Sequence, residues 1–454
     1  MQNTLNSVKQ YKLFNNDLNS LDYHRNIKEQ NHISLRKKSL DSLISNKRRR
    51  SQTKDFKLNL LISNNDNIDP KLIEKYIALR KERYDINNLG KYIDSLGEIY
   101  NDLKTQSKDF NFDFNFNNSE ELISVLVPIR KLLSDKNSLN YEIISHPNFQ
   151  TIFQILHNDN LTSFIIAYET TWILSNTLYF YNNSLIPNCE NYNIYEIILK
   201  CGNRFSRNQE ILEKIVWAIG NLACENINTR ESIYKYGIFQ FLIDISLLFQ
   251  LESSSELLYT CYWAISNCFQ NNKGDKGSKL QLRVPNSNLL MIKLIQNASS
   301  LYFENGENVI NIWKIINCLM YNEENRNEIL QELKGNEIIL TGFLDIFKYN
   351  YLHLYYENIC IIGNLVYYDD EIALKFIELG LFSIIRNIIK DDNHTETLKT
   401  ECCWIINNLI TSCKSNTIIL EEFIKVISEE DFVSILINKT LSSTGSDLNE
   451  YICT

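Results

Sequence analysis

Apolar positions in this 454-residue chain recur at helical spacing in six proline-free segments: Tyr168–Leu178, Leu212–Ala223, Leu257–Phe269, Val309–Leu319, Glu357–Val366 and Thr400–Ile410. Each segment is predicted to be a helix with one buried face. Inside them, every tryptophan of the chain is followed four residues later by asparagine: Trp172/Asn176, Trp217/Asn221, Trp263/Asn267, Trp313/Asn317 and Trp404/Asn408. Asparagine makes up 59 of the 454 residues, so five chance pairings have a probability on the order of a few in a hundred thousand. Successive tryptophans lie 45, 46 and 50 residues apart, and the final gap of 91 residues is bisected by Cys360-Ile-Ile-Gly-Asn364, which keeps the asparagine alone. The pattern is a six-fold repeat.

A period in this range is that of armadillo or HEAT-type units, two or three helices that bury their apolar faces only by stacking on neighbours. The expected fold is therefore all-α, an armadillo-repeat right-handed superhelical solenoid. Gly237 and Gly380 fall where one helix ends and the next begins, the usual place for glycine. A hydrophobic content of 44% suits a large core, and only 13 glycines and 5 prolines argue against an all-β fold.

No apolar run is long enough to cross a bilayer and the N-terminus lacks a secretory signal's hydrophobic stretch, so a soluble intracellular protein is expected, with no membrane partner. The 11 cysteines form no C-x-x-C motif, and Cys402 and Cys403 are adjacent within a helical pattern; buried free thiols are expected, not disulfides or zinc. There is no P-loop, no metal-ligand spacing, and His24, His32, His146, His157, His353 and His394 are scattered. Neither an enzyme nor a cofactor is expected.

Charge divides the chain. Residues 1–57 hold 13 Lys/Arg against 5 Asp/Glu, net +8, while residues 58–454 hold 33 against 50, net −17. A basic tail on an acidic body suits a nucleic-acid arm, a membrane-surface segment or an internal ligand for the body. The acidity of the body disfavours direct nucleic-acid binding, because the large domain repels phosphates.

Residues at i and i+4 share a helix face, so each unit adds one indole and one carboxamide to a stripe along the array. Stacked indoles form slots for the aliphatic stems of Lys or Arg, with the cation against a ring, worth about 0.5 to 2 kcal/mol per contact. The carboxamide can hydrogen-bond both the N–H and the C=O of an extended peptide. A competing reading makes the tryptophans core and the asparagines a buried ladder that satisfies carbonyls. That reading accounts for each residue type but not for their fixed pairing.

The array resembles importin-α, the armadillo adaptor of nuclear import. Val216-Trp-Ala-Ile-Gly-Asn-Leu-Ala223 is similar to that family's third repeat, Arg130-Lys-Leu-Leu-Ser134 to its first, Ile361-Ile-Gly-Asn-Leu-Val366 to its sixth and Glu401-Cys-Cys-Trp-Ile-Ile-Asn-Asn408 to its seventh. In the tail, Phe14, Arg25-Asn-Ile-Lys28, Leu35-Arg36-Lys37-Lys38 and Lys47-Arg48-Arg49-Arg50 resemble the importin-β-binding segment, whose terminal cluster also occupies the family's own groove when free. The resemblance implies a basic, disordered, autoinhibitory segment over residues 1–57, a linker with some helix over 58–118 and an array of about seven to eight repeats over 119–454, the last incomplete. It implies an adaptor that shuttles between cytoplasm and nucleus, binding Lys/Arg-rich localisation signals of cargo and, through residues 11–50, importin-β. An armadillo scaffold for extended peptides without import traffic is the alternative.

By the same resemblance the major signal groove comprises Glu169, Trp172, Asn176, Trp217, Asn221, Glu225, Trp263 and Asn267, and a minor groove comprises Trp313, Asn317, Asn364, Glu401, Trp404 and Asn408. Glu225 stands where the family has the aspartate that pairs with the signal's key lysine. Tyr179-Phe-Tyr-Asn-Asn-Ser184 replaces a Gly- and Thr-containing turn of the same pocket, and Lys214 replaces a neutral polar residue, which repels a basic ligand if its head points into the groove. Cys360 replaces the minor site's arginine, so that half is expected to be the poorer one. The sequence ends at Asp447-Leu-Asn-Glu-Tyr-Ile-Cys-Thr454, where the family's eighth Trp/Asn helix would begin, so the export receptor that binds the family's last repeats is not expected as a partner.

Overall fold

The computed structural model describes residues 69–106, 116–134, 146–158, 163–179, 193–224, 227–269, 284–301, 306–348 and 352–413, with isolated positions between 417 and 434. The basic segment 1–57, Glu225 and residues 435–454 lie outside the described residues. Among those described there is helix and no strand. Compact grouping gives two units, residues 1–99 with 114–139, and 100–113 with 140–454; the division falls within the stretch that the repeat period treats as one array.

The first unit is built on α1 (Pro70–Lys81), the start of α2 (Leu89–Gln106) and α3 (Phe116–Leu133). Asp69 caps α1 by accepting the Lys71 N–H at 2.7 Å, and Pro70 occupies the first turn, where its missing donor costs nothing. Leu72 and Tyr76 of α1 are buried, as are Leu122 and Leu126 of α3, which packs against α1. Lys131 of α3 donates to the Arg80 carbonyl at 2.7 Å and to the Glu82 carbonyl, satisfying acceptors that the end of α1 leaves open.

In the second unit α4 (Thr151–His157), α5 (Phe164–Tyr179), α6 (Ile194–Arg204) and α7 (Gln209–Ala223) lead into three-helix repeats. These are α8 (Ile227–Lys235), α9 (Ile238–Leu248) and α10 (Leu251–Cys268); then α11 (Ser287–Leu301) and α12 (Gly306–Leu319), for which no described first helix precedes; then α13 (Glu323–Lys334), α14 (Glu337–Asp345) and α15 (Leu352–Tyr368); and finally α16 (Asp370–Glu378), α17 (Leu381–Lys390) and α18 (Glu396–Cys413). The long helices pack in one row, α5 on α7, α7 on α10, α10 on α12, α12 on α15 and α15 on α18. A second row runs α4, α6, α9, α11, α14. Two shorter helices followed by a long one, repeated along the chain, make an all-α, armadillo-like solenoid, and each segment with helical periodicity lies on a long helix of it, save Phe269, one residue past the end of α10.

Polar residues stitch the repeats end to end. Arg230 of α8 reaches the Ala223 carbonyl at the end of α7 at 2.8 Å, and Arg326 of α13 reaches Met320 after α12 at 3.1 Å. Lys293 of α11 donates to Leu247 and Phe249 at the end of α9, at 2.8 and 2.7 Å, and Arg204 of α6 donates to Asn158 after α4 at 2.6 Å. Cations are favoured at helix C-termini both as donors and by the dipole. Asparagine supplies N-caps: Asn208 accepts the Ile211 N–H and Asn322 the Asn325 N–H, each at 3.0 Å. Gly237 and Gly380 adopt left-handed φ of 75° and 95° at the turns into α9 and α17.

Eight cysteines among the described residues are free, and Cys201, Cys261, Cys268, Cys360, Cys402 and Cys403 are buried. Burial pushes the Cys201 thiol up to about 12 and Cys402 well above its ordinary value. A thiolate is the reactive form. The native protein at pH 7.5 should therefore leave these two residues unmodified by iodoacetamide, with labelling by mass spectrometry appearing only in denaturant. Gly237→Ala and Gly380→Ala should each lower unfolding free energy by about 1 kcal/mol, because an L side chain is strained in the left-handed region.

Candidate functional site

The row of long helices carries every Trp/Asn pair. Trp172, Trp217 and Trp313 are buried, while Trp263 and Trp404 are half-buried; Asn176, Asn221, Asn267, Asn364 and Asn408 are buried and Asn317 is half-buried. Glu169 is fully buried and Glu401 half-buried.

Four of the asparagines reach back one repeat. Asn221 Nδ2 donates to the Ser175 carbonyl at 2.8 Å, Asn267 to Gly220 at 3.3 Å and Asn408 to Gly363 at 3.3 Å; Asn364 donates to Asn317 Oδ1 at 2.9 Å. In the three bonds to backbone, the acceptor is the residue just before the preceding helix's own asparagine. A helical carbonyl already bonded to its i+4 amide has a second lone pair to offer. The indoles converge on the same spots. A Cβ built on Gly220 would overlap the six-membered ring of Trp263, and one built on Gly363 would lie 2.5 Å from Cζ3 of Trp404.

In two of the five pairs, Trp263/Asn267 and Trp404/Asn408, both side chains grip one glycine of the helix before them. The ring lies on the bare backbone, and one turn later the carboxamide takes that residue's carbonyl. For these two pairs packing accounts for the i, i+4 spacing, and Gly220-Asn221 and Gly363-Asn364 in the sequence are its legible trace.

One slot between long helices is filled. Lys214 of α7 points its Nζ to 4.7 Å from the Trp172 ring centroid, 5.5 Å from Trp217 and 5.9 Å from Tyr168 of α5. It is 3% exposed, and Nζ lies 3.5 Å from Glu213 Oε2. Burial pushes the ammonium pKa down, but the charges of Glu213, Tyr168 and Glu256 outweigh it and the value ends above that of ordinary lysine. The cation therefore stays charged between three ring faces.

The equivalent position on α18, also three residues before the tryptophan, is Glu401. The Tyr356 hydroxyl of α15 donates to Glu401 Oε1 at 3.4 Å, and Tyr356 stands four residues before Cys360 as Tyr168 does before Trp172. Burial raises the phenol's pKa, with Cys360 and Glu401 adding to it, so Tyr356 remains a neutral donor. The two tyrosines, Glu213 and Glu256 are not singled out by the repeat pattern; their signal is a tyrosine one turn before the motif position, at 168, 259 and 356. No group of acids, histidines or cysteines among the described residues could hold a metal ion, and no described helix is long and apolar enough to cross a membrane.

No protein-family model matches this chain, and no curated protein matches it. Solved structures do. An engineered protein from the Northeast Structural Genomics Consortium aligns with a TM-score of 0.54 at 14% identity, over 79% of this chain and 76% of its own. A designed armadillo repeat protein in complex with the peptide (KR)4 aligns at 0.41, with 16% identity over 57% of this chain and 97% of its own, and a second engineered protein at 0.42, with 12% identity over the same shares. The first likeness is one of fold alone.

Gly220→Ala and Gly363→Ala should each cost about 2 kcal/mol, since the new methyl must displace a packed indole. Gly335→Ala, whose Cβ would meet nothing closer than 3.8 Å, should change stability by under about 0.5 kcal/mol. Asn408→Ala should cost about 1 kcal/mol for its buried bond. Urea unfolding followed by circular dichroism measures all four.

Proposed function

We propose that the protein is a repeat scaffold whose row of long helices binds extended Lys/Arg-rich peptides, with no bond chemistry, and that its use is as a nuclear import adaptor. The observation that carries the reading is Lys214: a lysine ammonium seated between Trp172, Trp217 and Tyr168 supports cation acceptance by the slots of this row. Glu256 and Glu401 on the same row, and the net −17 of residues 58–454, favour a cationic ligand. Cargo localisation signals are the ligand class, importin-β the second partner through residues 11–50, and cytoplasm and nucleus the compartments. These last three rest on the resemblance of Phe14, Leu35-Arg-Lys-Lys38 and Lys47-Arg-Arg-Arg50 to an importin-β-binding segment.

The packing of Trp263 and Asn267 on Gly220, and of Trp404 and Asn408 on Gly363, favours a second reading. The paired motif then serves the array itself, and the protein is an armadillo scaffold for extended peptides outside nuclear import. Capture of the full chain by immobilised importin-β separates the two, since only the adaptor requires it.

A tethered net +8 segment beside an acidic body competes with any basic ligand at high effective concentration. Replacing Lys47, Arg48, Arg49 and Arg50 by alanine in the full chain should tighten binding of a labelled basic localisation peptide by at least about tenfold at low salt. The gain should shrink as salt rises, because screening shortens the reach of exposed charges to about 8 Å at physiological ionic strength. Fluorescence anisotropy measures it, and absence of peptide binding by both proteins removes the receptor reading.

A further inference from the structure

The position three residues before the motif tryptophan differs in charge along the row, with Glu169 on α5, Lys214 on α7 and Glu401 on α18. On α7 it is Lys214, buried, with its ammonium against two indoles and a phenol and its charge met by Glu213 at 3.5 Å. A second cation cannot enter that space: the ring faces are taken and the resident charge repels it. On α18 the same position is Glu401, half-buried, held by the Tyr356 hydroxyl and one turn from the half-buried Trp404. There an aromatic ring and a carboxylate stand together, the combination that draws a lysine or arginine stem along the ring and its head to the acid.

We propose that Lys214 is the specificity residue of the row, an internal occupant that closes the slot between α5 and α7 to external cations, so that a basic peptide takes its anchoring contact at Tyr356, Glu401 and Trp404. The docking half of this inference rests on the peptide-receptor reading, whereas the closure of the slot does not. It reverses the order expected from the sequence, in which the N-terminal pairs form the major site and Cys360 marks the C-terminal half as the poorer. Tryptophan count is a measure of slots built, and Lys214 subtracts one that is already full.

The full chain tests both halves. Thermal melting of Lys214→Ala is followed in n-butylammonium chloride and in sodium chloride at equal ionic strength. The free ammonium refills the vacated slot and raises the variant's Tm by several degrees over the sodium control, with no such gain in the wild type; equal responses of the two proteins overturn the closure. Octalysine binding is then measured for the wild type, Lys214→Ala and Glu401→Gln, the last at a half-buried position where the fold tolerates the change. The expected results are a loss of tenfold or more in Glu401→Gln and a gain of fivefold or more in Lys214→Ala, where a second slot opens. Unchanged affinity in Glu401→Gln overturns the docking assignment, and that variant decides it alone if Lys214→Ala does not fold. If octalysine binds none of the three while n-butylammonium still rescues Lys214→Ala, the receptor reading falls and the closed slot stands.

Discussion

The second unit depends on the contact between one long helix and the next, and at two of these interfaces an indole lies on a glycine while the asparagine one turn later takes that glycine's carbonyl. Trp263 and Asn267 make it on Gly220, Trp404 and Asn408 on Gly363. No unit of two or three helices this short buries a core by itself, so the array's stability resides in interfaces between units. The indole supplies area and excludes water, and the carboxamide supplies direction. Together they fix both the distance and the axial register of successive helices, because a shift of one residue would place a Cβ under the ring and move the carbonyl out of reach.

Around that contact the polar residues are arranged to complete one repeat with atoms from the next. Arg204, Arg230, Lys293 and Arg326 each donate to carbonyls at the end of a helix in the preceding layer. These four cations are directed to the unit's own backbone, while Glu401 stands half-buried on the row of long helices. Lys214 places its cation among three aromatic rings, and Glu213 and Glu256 keep it charged at full burial.

Repeat period, helix positions, the glycine turns at 237 and 380 and the all-α class were legible in the sequence, because stacking forces each unit to present the same face at the same spacing. The tail's charge was legible too, though those residues lie outside the ones described. The reason for the Trp/Asn pairing was not. A shared helix face is as consistent with a peptide lying across it as with a neighbouring helix, and only the stacked backbones show that Gly220 and Gly363 receive both side chains.

The same limit applies to charge. The sequence by itself determined that a lysine stands three residues before Trp217 and a glutamate three residues before Trp404, and that both share a face with their tryptophans. Tertiary structure alone decided that the lysine turns inward between Trp172, Trp217 and Tyr168, while Glu401 stays half-exposed under Tyr356. Periodicity fixes the face on which a side chain starts; where its charged end comes to rest depends on rings and acids contributed by helices about 45 residues away in the chain.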